Sequence, residues 1–522
     1  MDIKVKFLDY SFIQVECEDQ SLYYTLREQY SFMSDNYMFD KRFKYGAWDG
    51  KIRLFKPDGT LPFGLLDNLV KFCNGMGYKI DVDPRCYNKT EITMDEFQTW
   101  LDRQEFWSQD SSTKEWTQIT PYWYQTQAAF EGILNRRRIL NLPTSAGKSL
   151  IQYIIAKWYL EHYTGKVLII VPTQTLVKQM IADFREYSKN ELPEYAFLGI
   201  MSGSKKVSDA PIYVSTWQSA VKMIPEWFQQ FGLLQNDECH LATGKSINSI
   251  IESSVHTPFK IGLSGSLRDG KANMMVYVGM FGGIYKPVET HELMEDGQVT
   301  KLQINCLFVE YNEEEKKQIA YFKENENGKL VHAEYSDEIS FINNHIHRNL
   351  MVCRLAAKLA SGDENVFVMF RFEEHGRLLE KILKRIYDND KIIFLNGSVS
   401  LEERDKAKIE AENRKGVIYI ASYGTFSTGV SIKNLHHVIF AHPTKAKTTV
   451  LQSIGRVLRK HKSKAIATLW DIIDDIALRN TNPKAKSKYK YINYALDHAA
   501  QRIERYGQEK FDYNIRKVVL KY

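Results

Sequence analysis

Hydrophobic and polar positions follow one pattern up to about residue 120 and another after it. In the first part, short runs such as IKVKF and FIQVEC alternate residue by residue, which is the period of a half-buried strand. Asp49-Gly50 stands between two apolar and aromatic runs and predicts a β-hairpin, and Asp58-Gly59 predicts a second turn. A polar stretch with a helix near 94–107 follows. We predict a small α+β domain over residues 1–105.

From Pro121 onward, short continuous apolar runs alternate with helical segments. The first series contains RRILNLP, KVLIIVP, APIYVST and FKIGLSG, and the second contains ENVFVMF, KIIFLNG, GVIYIAS, HHVIFAH and AIATLWDI. Repeated strand–helix units of this kind predict parallel sheets that are covered by helices. We predict two tandem α/β domains at 106–305 and 346–480, a charged connector at 306–345, and a basic helical tail at 481–522.

Composition narrows the class of protein but identifies no function. The chain has 522 residues, a formal net charge of +6 and 26% charged residues, which fits several folded domains and permits a polyanionic partner without requiring one. Its six cysteines are scattered, which argues against a zinc site or a disulfide framework and favours a reducing compartment. No apolar run reaches the length of a membrane span or resembles a signal peptide, so we expect a cytoplasmic protein with no membrane partner.

The segment LPTSAGKS, residues 142–149, connects a predicted buried strand to a predicted helix. The phosphate loop pattern is G-x-x-x-x-G-K-[ST], and here Leu142 stands at the position of the first glycine. In such a loop, backbone N–H groups bind phosphates, Lys148 would reach the β- and γ-phosphates of ATP, and Ser149 would bind Mg²⁺. The alternative is an ordinary strand–helix loop. The predicted nucleotide-binding residues are Pro143, Thr144, Ser145, Ala146, Gly147, Lys148 and Ser149.

An acidic pair and an arginine pair lie farther along the chain. Asp237 and Glu238 follow a predicted strand in LLQNDECHLATG, where the first carboxylate can hold Mg²⁺ and the second can orient or deprotonate water. Arg456 and Arg459 in QSIGRVLR have helical spacing and could stabilise charge on a γ-phosphate. Alone, either pair would be read as a solvated surface. Because the phosphate loop is also present, we predict catalytic roles for both pairs and for Lys148 of the loop.

The three motifs, in this order, resemble those of superfamily 2 helicases and translocases. Loops in that superfamily often read PT-x-x-GK-[ST], so Leu142 is compatible with the resemblance. The resemblance implies two tandem RecA-like parallel-sheet domains, preceded here by the small α+β domain. Two positions depart from the superfamily pattern, since Tyr122 stands where an arginine is usual and Ser431 where an acidic residue is common.

The same resemblance implies roles for residues outside the three motifs. It implies adenine contact by Gln125, nucleotide contacts by Gly429 and Gln452, coupling of hydrolysis to movement by His240, Ser264 and Ser266, and DNA-backbone contacts by Thr173, Thr216 and Thr428.

End to end, including WDGKIRL, LPFGLL, NDECHLATGKSI, SGSLRDGKAN and IGRVLRKH, the chain resembles the recombination helicases of T4-like bacteriophages. This resemblance implies a monomeric ATP- and Mg²⁺-dependent DNA helicase in the cytoplasm of an infected bacterium. It implies 3′ to 5′ translocation on single-stranded DNA, unwinding of RNA–DNA hybrids in R-loops, and migration of branched double-stranded DNA such as Holliday junctions and forks. The alternatives are the motor subunit of a restriction-type system and a DNA-binding protein that hydrolyses no ATP.

Basic and aromatic residues interleave in the N-terminal region. On the predicted hairpin, Arg42, Lys44 and Trp48 would contact DNA through charge and stacking. The alternative is that the aromatic residues fill the core of the small domain. We expect the run Arg136-Arg137-Arg138 to be a solvated helix end.

Overall fold

The computed structural model describes residues 2–35, 37–110, 113–201, 207–241, 245–265, 267, 271–324, 330–395, 414–423, 434–444, 454–455, 458, 464, 466–480 and 488–522. The chain divides into two compact units, Met1–Val288 and Glu289–Tyr522. In the described part, no helix combines the length and the apolar character needed to cross a bilayer.

A small α+β region opens the first unit. Its elements are β1 (Ile3–Phe7), β2 (Phe12–Glu16), α1 (Gln20–Gln29), β3 (Ser31–Met33), α2 (Lys41–Lys44), β4 (Lys51–Arg53), β5 (Thr60–Pro62), α3 (Leu66–Gly75), β6 (Ile80–Val82), α4 (Met94–Leu101), β7 (Phe106–Gln109) and β8 (Trp116–Ile119). Four strands form a sheet in the order β5-β2-β1-β6. Strand β2 is antiparallel to both of its neighbours, and β6 runs parallel to β1. The alternating residues of β1 and β2 bury one face of this sheet in a small core.

The predicted hairpin at Asp49-Gly50 is wrong. Residues 41–44 form the short helix α2, because the Asp40 side chain caps it by accepting a hydrogen bond from the Arg42 N–H at 2.8 Å. The antiparallel partner of β4 is β3, which lies before this helix. The second predicted turn is confirmed, since Gly59 has φ +82° and the chain folds back around it.

The rest of the first unit is a parallel α/β domain. Its elements are α5 (Trp123–Asn135), β9 (Arg137–Asn141), α6 (Lys148–His162), β10 (Lys166–Val171), α7 (Gln174–Tyr187), β11 (Phe197–Ile200), β12 (Ile212–Thr216), α8 (Trp217–Ala220), β13 (Phe231–Asn236), α9 (Lys245–Ser253), β14 (Phe259–Ser264), α10 (Lys271–Phe281) and β15 (Ile284–Tyr285). Seven strands pair in the order β11-β12-β10-β13-β14-β9-β15, and every pair is parallel.

Two buried cations join the small sheet to this α/β domain. Arg137 donates to the backbone oxygens of Met280 and Tyr10, and Lys260 Nζ donates to Tyr10 O at 2.9 Å and Ser11 Oγ at 2.6 Å. Burial lowers the pKa of Arg137 to about 9 and lowers the pKa of Lys260 well below its usual value. The predicted solvated helix end at Arg136-Arg137-Arg138 is therefore wrong, because β9 begins at Arg137 and carries it inside.

The second unit contains another parallel α/β domain. Its elements are α11 (Thr290–Glu295), β16 (Lys301–Glu310), α12 (Glu313–Ala320), β17 (Lys323–Glu324), β18 (Leu330–Val331), α13 (Tyr335–Asn344), α14 (Ile346–Ala360), β19 (Val366–Phe370), α15 (Glu373–Leu383), β20 (Ile392–Leu395), β21 (Ile418–Ser422), β22 (His437–Phe440), β23 (Ile466–Asp475), β24 (Leu478–Arg479), β25 (Tyr489–Tyr491), α16 (Tyr494–Gln508) and β26 (Asp512–Val519). Its seven-stranded sheet has the order β20-β21-β19-β22-β23-β16-β26 with parallel pairing throughout. The prediction of two tandem parallel-sheet domains preceded by a small α+β domain is confirmed.

The structure differs from the prediction of a connector at 306–345 and a tail at 481–522. Strand β16 pairs along its length with β23, and β26 adds to its other edge. Helix α16 is held by Arg502, whose guanidinium forms a buried ion pair with Asp471 of β23. Both segments therefore belong to the second sheet domain, although their charged composition suggested solvent-exposed chain.

Candidate functional site

Three neighbouring strands bring the predicted motifs of the first α/β domain to one edge of its sheet. Strand β9 leads into the loop 142–147, β14 ends at Ser264, and β13 ends immediately before Asp237. Because the strands are parallel, their carboxyl ends lie at the same edge, which is where ligands bind in sheets of this kind. The phosphate-loop candidate and the acidic pair therefore lie on opposite sides of Ser264.

The loop has the conformation of an anion-binding turn. Ser145 and Gly147 both have left-handed backbones, with φ of 72° and 75°, and Gly147 forms the N-terminal cap of α6. Consecutive N–H groups of such a turn can point toward one anion, and the α6 dipole adds positive potential. A Cβ atom on Gly147 would lie 2.3 Å from Nε2 of Gln125, so glycine is required here by both conformation and space.

Gln125 braces this loop. Its amide nitrogen donates to Ala146 O at 2.9 Å, and its amide oxygen accepts from the Tyr122 N–H at 2.9 Å. The side chain is buried and connects the start of α5 to the phosphate loop. Adenine contact by Gln125 stays a prediction, since these two bonds use one donor and one acceptor of the amide and leave further capacity.

Leu142 extends the sheet into the loop. Its N–H donates to Ser264 O at 2.9 Å, its side chain is fully buried, and its φ lies outside the left-handed region. A glycine is needed only where the backbone is left-handed or where a neighbour approaches closely. The leucine therefore satisfies the local geometry and adds a core side chain beneath the loop.

Lys148 and Asp237 form the charged centre of the site. Lys148 Nζ lies 3.4 Å from the carbonyl oxygens of Leu142 and Pro143. Asp237 is half-buried, and its Oδ1 is inaccessible to solvent and has no hydrogen-bond partner among the described residues. Burial and the neighbouring charge of Glu238 raise the pKa of Asp237, and the charge of Lys148 opposes them. A buried carboxylate oxygen without a hydrogen-bond donor has the chemistry to bind a cation.

Glu238 is held in an unusual conformation and connected to β14 through a histidine. Its φ is 52°, in the region that non-glycine residues seldom adopt. His240 Nδ1 lies 3.2 Å from Glu238 Oε2 and 3.0 Å from Ser264 Oγ, and Tyr277 donates to His240 O at 2.6 Å. The structure thus brings together two of the three residues predicted to couple hydrolysis to movement.

Helix α7 contributes two residues that the motif analysis missed. The hydroxyl of Tyr187 lies 2.8 Å from Ser149 Oγ, and the charge of Asp183, one turn earlier, adds to the raised pKa of Asp237, after burial and Glu238. Only their spacing of four residues, which puts them on one face of a helix, is visible in the sequence. Thr173 caps the N-terminus of the same helix, and its hydroxyl accepts from Leu176 N–H at 3.4 Å.

Comparisons with known proteins identify the family of the chain. Three family models match successive parts of the chain: "DNA helicase UvsW, N-terminal" over residues 2–83, "Type III restriction enzyme, res subunit" over 113–269, and "Helicase conserved C-terminal domain" over 347–461. The chain is 50% identical, over 525 aligned positions and the whole of both chains, to the ATP-dependent DNA helicase uvsW of Enterobacteria phage T4. It belongs to the UvsW family of ATP-dependent DNA helicases.

Solved structures extend the comparison. The crystal structure of T4 UvsW, 48% identical, matches the whole of both chains with a TM-score of 0.52. A type I restriction HsdR fragment from Vibrio vulnificus matches 90% of this chain and 87% of its own, with a TM-score of 0.55 and 15% identity, which shows a shared fold alone. Among more distant relatives, the DNA 3'-5' translocase XPB2 of Sulfurisphaera tokodaii is 25% identical and covers 66% of this chain and 79% of its own.

Magnesium is implied by the UvsW family's use of ATP, and the described residues fit it. Ser149 and Asp237 present oxygen ligands, and Asp237 has a buried oxygen without a partner in the described chain. The described residues contain no cluster of three or more metal-ligating side chains.

The predicted DNA contacts that the structure describes are distributed over the first unit. Thr216 is buried and donates to Ser219 Oγ at 3.0 Å, so contact with DNA would require this hydroxyl to move. Arg42 lies 4.8 Å above the ring of Trp48, and Lys44 is exposed on the same helix. Six further predicted residues lie outside the described residues, namely Ser266, Thr428, Gly429, Gln452, Arg456 and Arg459.

Proposed function

We propose that this UvsW-family helicase uses Mg²⁺-ATP to unwind R-loops and to migrate branched DNA in phage recombination, replication and repair. It would act as a monomer in the cytoplasm of the infected bacterium and move 3′ to 5′ on single-stranded DNA. The observation that carries the proposal is the meeting of Lys148, Ser149 and Asp237 at one sheet edge, in a chain 50% identical to an ATP-dependent DNA helicase of phage T4.

The loop would bind the phosphates of ATP. Its N–H groups and the N-terminus of α6 provide positive potential, and Lys148 Nζ can leave two weak carbonyl contacts at 3.4 Å for the β- and γ-phosphates. Ser149 and Asp237 would hold Mg²⁺, which when bound neutralises phosphate charge and favours phosphoryl transfer. Arg456 and Arg459 would stabilise the negative charge that develops on the γ-phosphate.

Glu238 would orient and deprotonate the attacking water. Its backbone is left-handed, and one of its carboxylate oxygens lies 3.2 Å from His240 Nδ1. Because His240 also contacts Ser264, a change at the γ-phosphate that moved Glu238 would be transmitted to the end of β14. Such a chain of contacts is what a nucleotide-dependent switch requires.

DNA recognition would involve both parts of the first unit and the segment that carries Thr428. Thr173, at the start of α7, and Thr428 would contact the DNA backbone, and Arg42, Lys44 and Trp48 would add charge and a stacking surface. The buried cations that join the small sheet to the α/β domain support movement of the two as one body. A junction strand bound by the small domain would then follow each step of the first α/β domain.

Strand displacement tests the proposed substrates. The full chain with Mg²⁺-ATP is expected to release RNA from a synthetic R-loop, and to separate the arms of a four-way junction, faster than it separates a linear duplex. Glu238→Gln, which keeps the side-chain shape, should bind the same substrates without releasing strands. Equal rates on all three substrates would contradict the branched-DNA preference, and nicking of a supercoiled plasmid would favour the restriction-motor alternative.

A further inference from the structure

The end of helix α7 contacts the proposed metal ligand from a side that no motif describes. Tyr187 is the last residue of α7, and its hydroxyl lies 2.8 Å from Ser149 Oγ. The two side chains are 38 positions apart in the sequence. Their meeting depends on the packing of α7 against α6 and has no local signature.

Aromatic packing holds this phenol in place without help from a nucleotide. The Tyr187 ring packs on Tyr153, with centroids 5.7 Å apart, and Tyr153 packs on Phe184 at 5.2 Å. Tyr153 lies one turn after Ser149 on α6, and Phe184 lies on α7. The ring is thus held against the same helix that carries Ser149, and its oxygen is fixed relative to the serine.

The chemistry of a serine ligand gives this contact a purpose. A serine hydroxyl that binds a cation uses an oxygen lone pair, and its proton must then point to an acceptor on another side. Without a partner, the hydroxyl rotates among three staggered positions. An acceptor at hydrogen-bond distance selects one of them, in the way that outer partners orient metal ligands in other proteins.

We propose that Tyr187 is a positioning residue that orients the Ser149 hydroxyl for magnesium binding. The inference rests on the proposed function, in which Ser149 binds the metal. Asp183, one turn before Tyr187, acts electrostatically on Asp237, the other proposed ligand. Helix α7 therefore carries residues that act on both proposed ligands, Ser149 and Asp237.

Nucleotide binding, rather than turnover, gives the sharpest test. The probe is a fluorescent, non-hydrolysable ATP analogue, titrated into the full chain at saturating Mg²⁺ and in EDTA. The ratio of the two dissociation constants measures the gain in nucleotide affinity that is due to the metal. Tyr187→Phe keeps the ring packing on Tyr153 and removes only the hydroxyl, and Tyr195→Phe, at an 82% exposed position, is the matched control.

We expect Tyr187→Phe to reduce the magnesium-dependent gain by roughly two- to tenfold, the range of one lost hydrogen bond, with unchanged affinity in EDTA. Tyr195→Phe should match wild type. Ser149→Ala should lose the gain, and adding Tyr187→Phe to it should have no further effect. A wild-type gain in Tyr187→Phe, or equal losses with and without Mg²⁺, would overturn the inference. A full gain in Ser149→Ala would instead overturn the proposed role of Ser149.

Discussion

Replacing Gly147 with alanine tests whether the loop geometry is what makes the nucleotide site. Gly147 has φ 75° and ψ 40°, and an added Cβ would lie 2.3 Å from Gln125 Nε2. Alanine at this position must therefore adopt a left-handed backbone and also displace Gln125. Displacement breaks the bond of 2.9 Å between Gln125 and Ala146 O.

Both costs can be estimated. A left-handed backbone costs a non-glycine residue about 1–2 kcal/mol, and the lost hydrogen bond costs about 1 kcal/mol. The loop of the free variant should relax out of this conformation, so that regaining it on binding weakens the affinity for a fluorescent ATP analogue by up to about 2–3 kcal/mol, or roughly 30- to 150-fold. The folded state should persist, because the loop lies at the surface edge of the sheet and not within it.

A double-mutant cycle separates the two costs. In a Gln125→Ala background the collision is absent, so Gly147→Ala should cost only the backbone term of about 1–2 kcal/mol. The four dissociation constants, measured by fluorescence titration at one salt concentration, give the coupling directly. If Gly147→Ala costs as much in the Gln125→Ala background as in the wild-type chain, the collision with Gln125 is not the cause of the lost affinity.

Other features of the structure make further predictions. Glu238→Gly should abolish hydrolysis yet raise the free energy of unfolding by about 0.5–1 kcal/mol over Glu238→Gln, because only glycine relieves the left-handed backbone; equal stability in urea unfolding would refute this strain. Burial, aided by nearby arginine charge, lowers the pKa values of His375 and His442 to about 2 and about 3, whereas both ionise near 6.5 when unfolded. The native state then binds fewer protons below that value, so the second unit should lose about 1.4 kcal/mol per histidine by about pH 5.5, and asparagine at both positions should flatten this slope in thermal unfolding. Gly64→Ala should loosen the packing of the small sheet and speed its removal by limited proteolysis, because the added Cβ would lie 2.0 Å from a backbone oxygen of α10. Gly75→Ala is the control and should behave as wild type, because its added Cβ would have no atom within 4 Å. Equal resistance of the two variants to the protease would contradict the close packing at Gly64.

The two parallel sheets were predictable because burial on both faces leaves a simple mark. A central strand such as β10 reads KVLIIV and has five fully buried residues in succession, which a local apolar run reports directly. Strand β26 is the opposite case. It lies at the edge of its sheet, and most of DYNIRKVV is exposed, so its composition resembles a charged tail. A sequence pattern reveals a strand through the apolar residues that the strand buries, and an exposed edge strand such as β26 buries few of them.

The candidate site was predictable where function requires residue types at fixed spacing. Gly147, Lys148 and Ser149 are adjacent and therefore visible as a motif, and the structure brings them to the sheet edge that also carries Asp237. The contacts that support them are distant in sequence. Tyr187 reaches Ser149 across the α6–α7 interface, and no local pattern records which face of a helix meets which neighbour.

The burial of Arg137 was not predictable from the sequence. Arg137 was expected in water because arginine is seldom buried without a carboxylate partner. Here the backbone oxygens of Met280 and Tyr10 accept its hydrogen bonds, and the Phe63 ring lies 4.8 Å from its guanidinium. These partners come from three distant segments of the chain, so the burial follows from the packing of the small sheet on the α/β domain.

The central claim is that the site at Lys148 drives a DNA motor, and DNA-stimulated ATP hydrolysis tests it most directly. The rate of phosphate release should be measured for the full chain with and without a four-way DNA junction, beside Lys148→Ala and Lys157→Ala. Lys157 lies on the same helix and pairs with Glu161 at the surface, so its variant controls for loss of a lysine. We predict strong stimulation by the junction in wild type and Lys157→Ala, and none in Lys148→Ala. Hydrolysis by Lys148→Ala at the wild-type rate, or no hydrolysis by wild type on any DNA, would contradict the account.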